Sequence, residues 1–211
     1  RDRSENIGQP GELFPIKVNK GIFISSNGLI KIDNSYYKLV PLSFSKQGQY
    51  VTFEDTKIFI QNKDFGESRI TITNNALVNL SDEDKDRTIR ESKIINKALQ
   101  TYSKKMKPTF SFISPVDGII SSRYGKKRFI NNSPRSPHLA LDIAAPEGTK
   151  VLSPEDGKVI LIGNFFYSGN YLIIDHGQGL LSSYSHLSSI SVSEDDILSL
   201  IHISEPTRQW S

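Results

Sequence analysis

The chain contains no cysteine, one methionine, one tryptophan and four histidines among its 211 residues. Without a thiol, disulfides and thiolate metal sites are excluded, so any zinc must rest on His, Asp or Glu. The absence also fits an oxidising compartment, where a stray thiol is a liability, although many cytosolic domains share it. No apolar stretch approaches the roughly 18 residues of a membrane-spanning helix, so no span is expected. A strong excess of one charge is missing too, the formal net charge being +3. Lys and Arg are spread along the chain rather than clustered, which speaks against nucleic acid while permitting an anionic polymer as partner. No internal repeat or low-complexity stretch interrupts the pattern. The chain opens Arg-Asp-Arg-Ser with neither Met nor a signal peptide, so its true N-terminus is expected upstream.

What is present is ordinary for a globular protein: 23% charged and 36% hydrophobic residues, enough to bury one large core or two small ones. The fold class expected is mainly β. Residues 1–80 read as a small antiparallel β-domain, a sandwich, with short β-branched or aromatic runs at Ile22–Ile24, Leu29–Ile32, Tyr36–Leu42, Tyr50–Phe53, Lys57–Ile60 and Arg69–Ile72. Residues 81–108 read as a connecting helix. Ser81 is its N-cap and Asp82, Glu83 and Asp84 suit the positive end of the dipole. Ile95, Ala98, Leu99 and Tyr102 form an apolar stripe, and Pro108 is the expected stop. Residues 109–198 return to strands at Gly118–Ser121, Ala140–Ala144, Lys158–Ile162, Tyr171–Asp175 and Leu180–Leu187, with His176-Gly177-Gln178-Gly179 closing a hairpin. On the second strand of that hairpin, Tyr184 is expected to share a face with His186, since side chains alternate.

His138 and Asp142 are spaced i, i+4 in Ser136-Pro137-His138-Leu139-Ala140-Leu141-Asp142. Both are first-choice zinc donors, reaching the metal at about 2.0–2.2 Å. His186 follows in Tyr184-Ser185-His186-Leu187. A lone His and Asp at this spacing are more often a surface hydrogen-bonded pair, and a lone strand His a satisfied one. The wider string decides between these readings.

That string comprises Phe112-Ile113-Ser114-Pro115-Val116-Asp117-Gly118, Ser121-Ser122-Arg123-Tyr124-Gly125, Pro137-His138 to Pro146, and Gly148-Thr149-Lys150-Val151. It continues with Asp156-Gly157-Lys158-Val159, Ile174-Asp175-His176-Gly177 and Tyr184-Ser185-His186-Leu187-Ser188. It resembles the M23 (LytM or lysostaphin-like) zinc metallopeptidases, and residues 1–108 resemble the N-terminal β-module and helix of Gram-negative members. The resemblance implies an antiparallel β-sheet with a groove for one zinc ion, held by His138 and Asp142. It makes His186 a catalytic histidine that is not a ligand. Its implied partner is the stem peptides of peptidoglycan, its implied place the periplasm or envelope of a Gram-negative bacterium, and a regulatory protein partner is compatible with it. It assigns no substrate-binding residue.

The family's C-terminal His-x-His, which supplies the third ligand and a second catalytic imidazole, is not in this sequence. After His186 the only histidine is His202, and no glycine follows Gly179. Residues 198–209 resemble a translated sequencing adaptor. The expectation is therefore a peptidase core ending near Leu198, a non-native tail over 199–211, and an open sheet edge prone to aggregation. With two ligands, the 211 residues are expected to be inactive. The alternative function is a catalytically dead M23 module that activates or positions another wall hydrolase, and a plain wall-binding module leaves the His138, Asp142, His186 coincidence unexplained. His176 reads as structural and His202 as no substitute ligand. Arg123 and Tyr184 could line a groove but equally pair or pack locally. Lys126-Lys127-Arg128 reads as a solvated loop and Glu194-Asp195-Asp196 as a solvated turn.

Overall fold

The structure, a computed structural model, describes residues 6–18, 29–32, 34–73, 80–199 and 202–206. In chain order the strands are β1 (Asn6–Gly8), β2 (Leu13–Val18), β3 (Leu29–Ile32), β4 (Ser35–Pro41), β5 (Tyr50–Phe53), β6 (Thr56–Ile60) and β7 (Glu67–Ile70). After helix α1 (Asp82–Ala98) come β8 (Ile119–Ser122), β9 (Lys127–Ile130), β10 (Ser133–Arg135), β11 (Asp142–Ala144), β12 (Val151–Leu152) and β13 (Gly157–Phe165). The last are β14 (Gly169–Gly177), β15 (Leu180–Ile190), β16 (Ile197–Leu198) and β17 (His202–Pro206). The fold is mainly β, as its alternating runs require. The expected strand at Ile22–Ile24 lies outside the described residues. Packing divides the chain into two compact units interleaved in sequence: 1–69 with 124–129 and 133–140, and 70–123 with 130–132 and 141–211.

In the first unit, β2, β4 and β3 form one antiparallel sheet, and β1, β6 and β5 form a second, mixed sheet. Alternation along β6 buries Ile58 and Ile60 against Val40 and Leu42, with Phe14, Ile16, Val51 and Phe53 packed around them. β1 runs parallel to β6, Asn6 opposite Ile58, so the expectation of a purely antiparallel module is corrected there. Three residues carry too little pattern to reveal direction, and β1 simply pairs with the free edge of β6. Pro15 sits inside β2, tolerated because β2 is an edge strand. A third sheet joins β10, β9 and β7. Asn131 (φ +48) and Asn132 (φ +62) close the β9–β10 hairpin in the left-handed conformation that asparagine tolerates.

The second unit is built on a six-stranded sheet in the order β12-β17-β15-β14-β13-β16. β14 is buried on both faces. Leu172 and Ile174 meet Val151, Val159, Leu187 and Leu198 on one side. Tyr171 and Ile173 meet Leu161 and Phe165 on the other, where Ile95 and Ala98 of α1 cover them. A bulge in β13, where Val159 and Leu161 face the consecutive Ile174 and Ile173, turns Ile160 and Leu161 together toward the helix. Gln178 (φ +54) and Gly179 (φ +82) form the two-residue β14–β15 turn, with left-handed angles at both positions.

Helix α1 begins as expected, Ser81 Oγ accepting the Asp84 N–H at 3.1 Å. It ends at Ala98, well before Pro108, which corrects the expected stop. The cause is tertiary. Ser103 Oγ donates to the buried Asp175 carboxylate and the Gln178 N–H donates to the Ser103 carbonyl, so the chain is drawn away toward the β14–β15 turn. Glu91 fastens α1 to the far end of the sheet, accepting from the Phe166 N–H and from Arg87 Nε, both at 2.7 Å. Burial alone pushes its carboxyl up, but the Phe166 N–H and the Arg87 and Arg90 guanidinium groups outweigh that and hold it below the usual carboxylate range.

The open edge expected beyond β15 is corrected only over its last residues. β17 pairs with β15 through Leu187–Pro206, Ser189–Glu205 and Ile190–Ser204. β15 extends past β14, and a downstream extended segment meets its otherwise unpaired amides and carbonyls.

Candidate functional site

His138 belongs to the first unit. Its N–H donates to the Lys126 carbonyl at 2.9 Å and its carbonyl accepts from the Gly125 N–H at 2.6 Å. Gly125 (φ +91) is required there, because a Cβ would overlap the Phe65 ring. The burial pattern is inverted relative to hydrophobicity. His138 is 5% exposed, whereas Leu139 and Leu141 are 55% and 51% exposed. A segment selected for core packing alone would bury the leucines and leave the imidazole outside.

Asp142 opens β11 in the second unit, opposite Ser122 of β8. The expected strand from Ala140 begins here instead. Ile143 faces Ile120, so Ser121 is an extra residue on β8, a bulge beside the candidate ligand.

His186 also lies in a bulge. Leu172 faces Tyr184 and Asn170 faces Leu187, so three steps on β15 match two on β14. His186 takes φ +58, and its N–H donates to the Ser168 carbonyl at 2.7 Å. The extra residue lets both Tyr184 and Leu187 enter the same core while His186 turns outward to an exposed position. The expectation that Tyr184 and His186 share a face is therefore corrected, since strict alternation fails across a bulge. Tyr184 packs in the core rather than lining a groove. Burial pushes its hydroxyl up to about 12, opposed by its hydrogen bond to Ser182.

His176 is 1% exposed, with Nδ1 at 2.8 Å from the Asp156 carbonyl and Nε2 at 2.7 Å from Ser182 Oγ. A carbonyl only accepts, so Nδ1 carries the proton and Nε2 accepts from Ser182, which in turn accepts from Tyr184 at 3.1 Å. This directional chain leaves His176 no lone pair for a metal. His202 lies in β17, paired with Leu152 through the backbone. The acidic run is more than a solvated turn: Glu194 accepts from the Ile162 N–H, Asp196 from the Ser193 N–H, and Asp195 (φ +73) pairs with Lys158. Arg123, Lys127 and Arg128 are exposed and Lys126 is half-buried.

None of His138, Asp142 and His186 is without a partner. Among the described residues there is no group of three or more His, Cys, Asp or Glu that could hold a metal ion. A catalytic zinc takes three protein ligands and a water. The donor chemistry of His138 and Asp142 suits zinc, but the described residues do not fit a complete catalytic zinc site.

Residues 136–199 match Peptidase family M23. The match to that family is confined to this segment of the chain. Over 81 residues, 37% of this chain, it is 41% identical to the peptidoglycan DD-endopeptidase ShyA of Vibrio cholerae, matching 19% of that protein. It is 38% identical over 82 residues to the cell division protein DipM of Caulobacter vibrioides, covering 38% of this chain and 13% of that one. It is 31% identical over 81 residues to the murein hydrolase activator NlpD of Salmonella dublin, covering 38% and 20%. The chain thus spans a fifth or less of these relatives' lengths. A crystal structure of a Pseudomonas aeruginosa protein assigned to peptidase M23 shares the fold, with a TM-score of 0.67 at 23% identity over 93% of this chain and 81% of that one.

One feature of the matched segment is testable without any substrate. A left-handed non-glycine residue costs about 1–2 kcal/mol, and glycine removes that strain at some entropic cost. His186→Gly is expected to leave stability unchanged or raise it by up to about 1 kcal/mol, and His186→Val to lower it, since a β-branched residue tolerates positive φ less well than histidine. Urea unfolding measures both. A clear loss with glycine would mean that imidazole contacts, not an imposed backbone, keep the bulge.

Proposed function

We propose that this protein hydrolyses peptide cross-links of peptidoglycan as a zinc-dependent endopeptidase in the envelope of a Gram-negative bacterium. His138 and Asp142 are two of its metal ligands and His186 is a catalytic imidazole. The observation that carries this reading is the strained bulge. The chain holds His186 at φ +58, inside the segment matching family M23, and such strain persists at sites where a side chain must be aimed. The burial of His138 in a segment whose leucines are exposed supports it from a second direction.

His138 offers an imidazole nitrogen and Asp142 a carboxylate oxygen. His186 offers an imidazole suited to general acid–base work. Zinc, when bound, supplies Lewis acidity and lowers the pKa of its water to about 7. Because the sequence contains no His-x-His, the 211 residues by themselves are proposed to be inactive.

The second reading, a module that activates another wall hydrolase, is favoured by the lack of a three-donor group among the described residues and by the likeness to a murein hydrolase activator. Digestion of purified peptidoglycan by the full gene product separates the two. Cross-linked muropeptides are expected to disappear with the unaltered protein and to persist with Asp142→Ala or His186→Ala. Intact cross-links together with stimulation of a second hydrolase would install the activator reading instead.

A further inference from the structure

We infer that Asn170 is the positioning residue for His186, a step that rests on the reading of His186 as the working imidazole. A histidine at φ +58 relaxes toward the extended region unless its surroundings over-determine it. Three restraints meet at this bulge. The His186 N–H donates to the Ser168 carbonyl in the β13–β14 turn at 2.7 Å. Asn170 Nδ2 donates to two successive carbonyls just beyond the bulge, Leu187 at 2.9 Å and Ser188 at 3.1 Å. Asn164 Nδ2, directly across the hairpin, donates to Asn170 Oδ1 at 2.9 Å.

Successive carbonyls of a regular strand point to opposite sides. Here they converge on one nitrogen, which is possible only while the backbone after His186 stays kinked. The orientation of the amide is settled by its partners. Both carbonyls only accept, so the NH2 group must face them, and Asn164 holds the oxygen end away. Beside it, Gly169 (φ +59) presents no side chain, and a Cβ there would lie 3.8 Å from both Cα and Nδ1 of His186. The imidazole therefore lies over an open glycine, on a backbone whose direction Asn170 fixes. Asn170 itself touches no reacting group and acts through His186.

The test uses the 211-residue chain labelled for NMR. Asn170→Asp keeps the size of the side chain, removes both donors and sets a carboxylate against two carbonyls. Amide exchange of His186 is expected to accelerate roughly tenfold, the equivalent of one lost hydrogen bond. The χ1 couplings of His186 should average over rotamers, while the His176 ring signals and the protection of Ile173 and Ile174 stay as they were. Unchanged His186 exchange and couplings in a folded Asn170→Asp chain overturn the inference. Should that variant not fold, Asn164→Ala decides: about threefold faster His186 exchange in an intact sheet supports it, and no change overturns it. These readouts involve no hydrolysis. A His186 that responds to Asn170 in a protein whose cross-link cleavage does not depend on His186 would uphold the positioning and refute the enzymatic role.

Discussion

Incubated with zinc and then desalted, the 211-residue chain is expected to retain well under one equivalent of metal and to leave cross-linked peptidoglycan intact. Loss of even an outer partner of a zinc ligand weakens binding by about 10–100-fold, so absence of a ligand itself is expected to weaken it by at least about a hundredfold. His176 is not free to compensate. His176 has both ring nitrogens committed, one to the Asp156 carbonyl and one to Ser182. Among the described residues there is no group of three such donors. Metal analysis after desalting and muropeptide profiles after digestion read the two halves of the expectation. One zinc held per chain through desalting would show that a third donor exists, and cleavage would remove the premise that His-x-His is needed.

Gly177→Ala is expected to destabilise the chain by about 3 kcal/mol, the sum of a left-handed penalty and overpacking. Gly177 has φ +99, and a Cβ there would overlap the backbone carbonyl of Met106. Backbone cannot rotate aside as a side chain can. The Met106 segment is itself anchored, since Ser103 is bonded both to Asp175 and to the Gln178 N–H. Gly148 provides the comparison, with φ +85 but nothing within 4 Å of its missing Cβ. Gly148→Ala is expected to cost only about 1 kcal/mol. Urea midpoints with unchanged slopes measure the contrast. Equal losses at the two positions would mean that the segment after α1 yields freely and does not pin the hairpin end.

The same two glycines show how far the residues could be read in isolation. Both stand in turn-like strings, and nothing in either string says that one faces another backbone and the other faces open space. His186 makes the point more sharply. Its place in a strand, its neighbours and its candidacy as a catalytic residue follow from Tyr184-Ser185-His186-Leu187. Its direction does not, because alternation would set it beside Tyr184. The bulge lets Leu187 reach the core shared with Leu172 and Val151. Likewise Ser81 and the acids behind it announce the start of α1, while its end is set by Ser103 reaching Asp175.

Local chemistry was sufficient for some features of this protein. Alternating β-branched runs gave strands, and Gln178-Gly179 gave a hairpin. Each depends on residues close in the chain, whose propensities and charges act before any fold forms. Tertiary structure decided the rest: the parallel pairing of β1, the burial of His138 while its neighbouring leucines stay exposed, the outward turn of His186 and the amide of Asn170 that holds it. Those outcomes depend on which distant atoms compete for the same space and the same hydrogen bonds, and such competition has no counterpart in the linear order of residues.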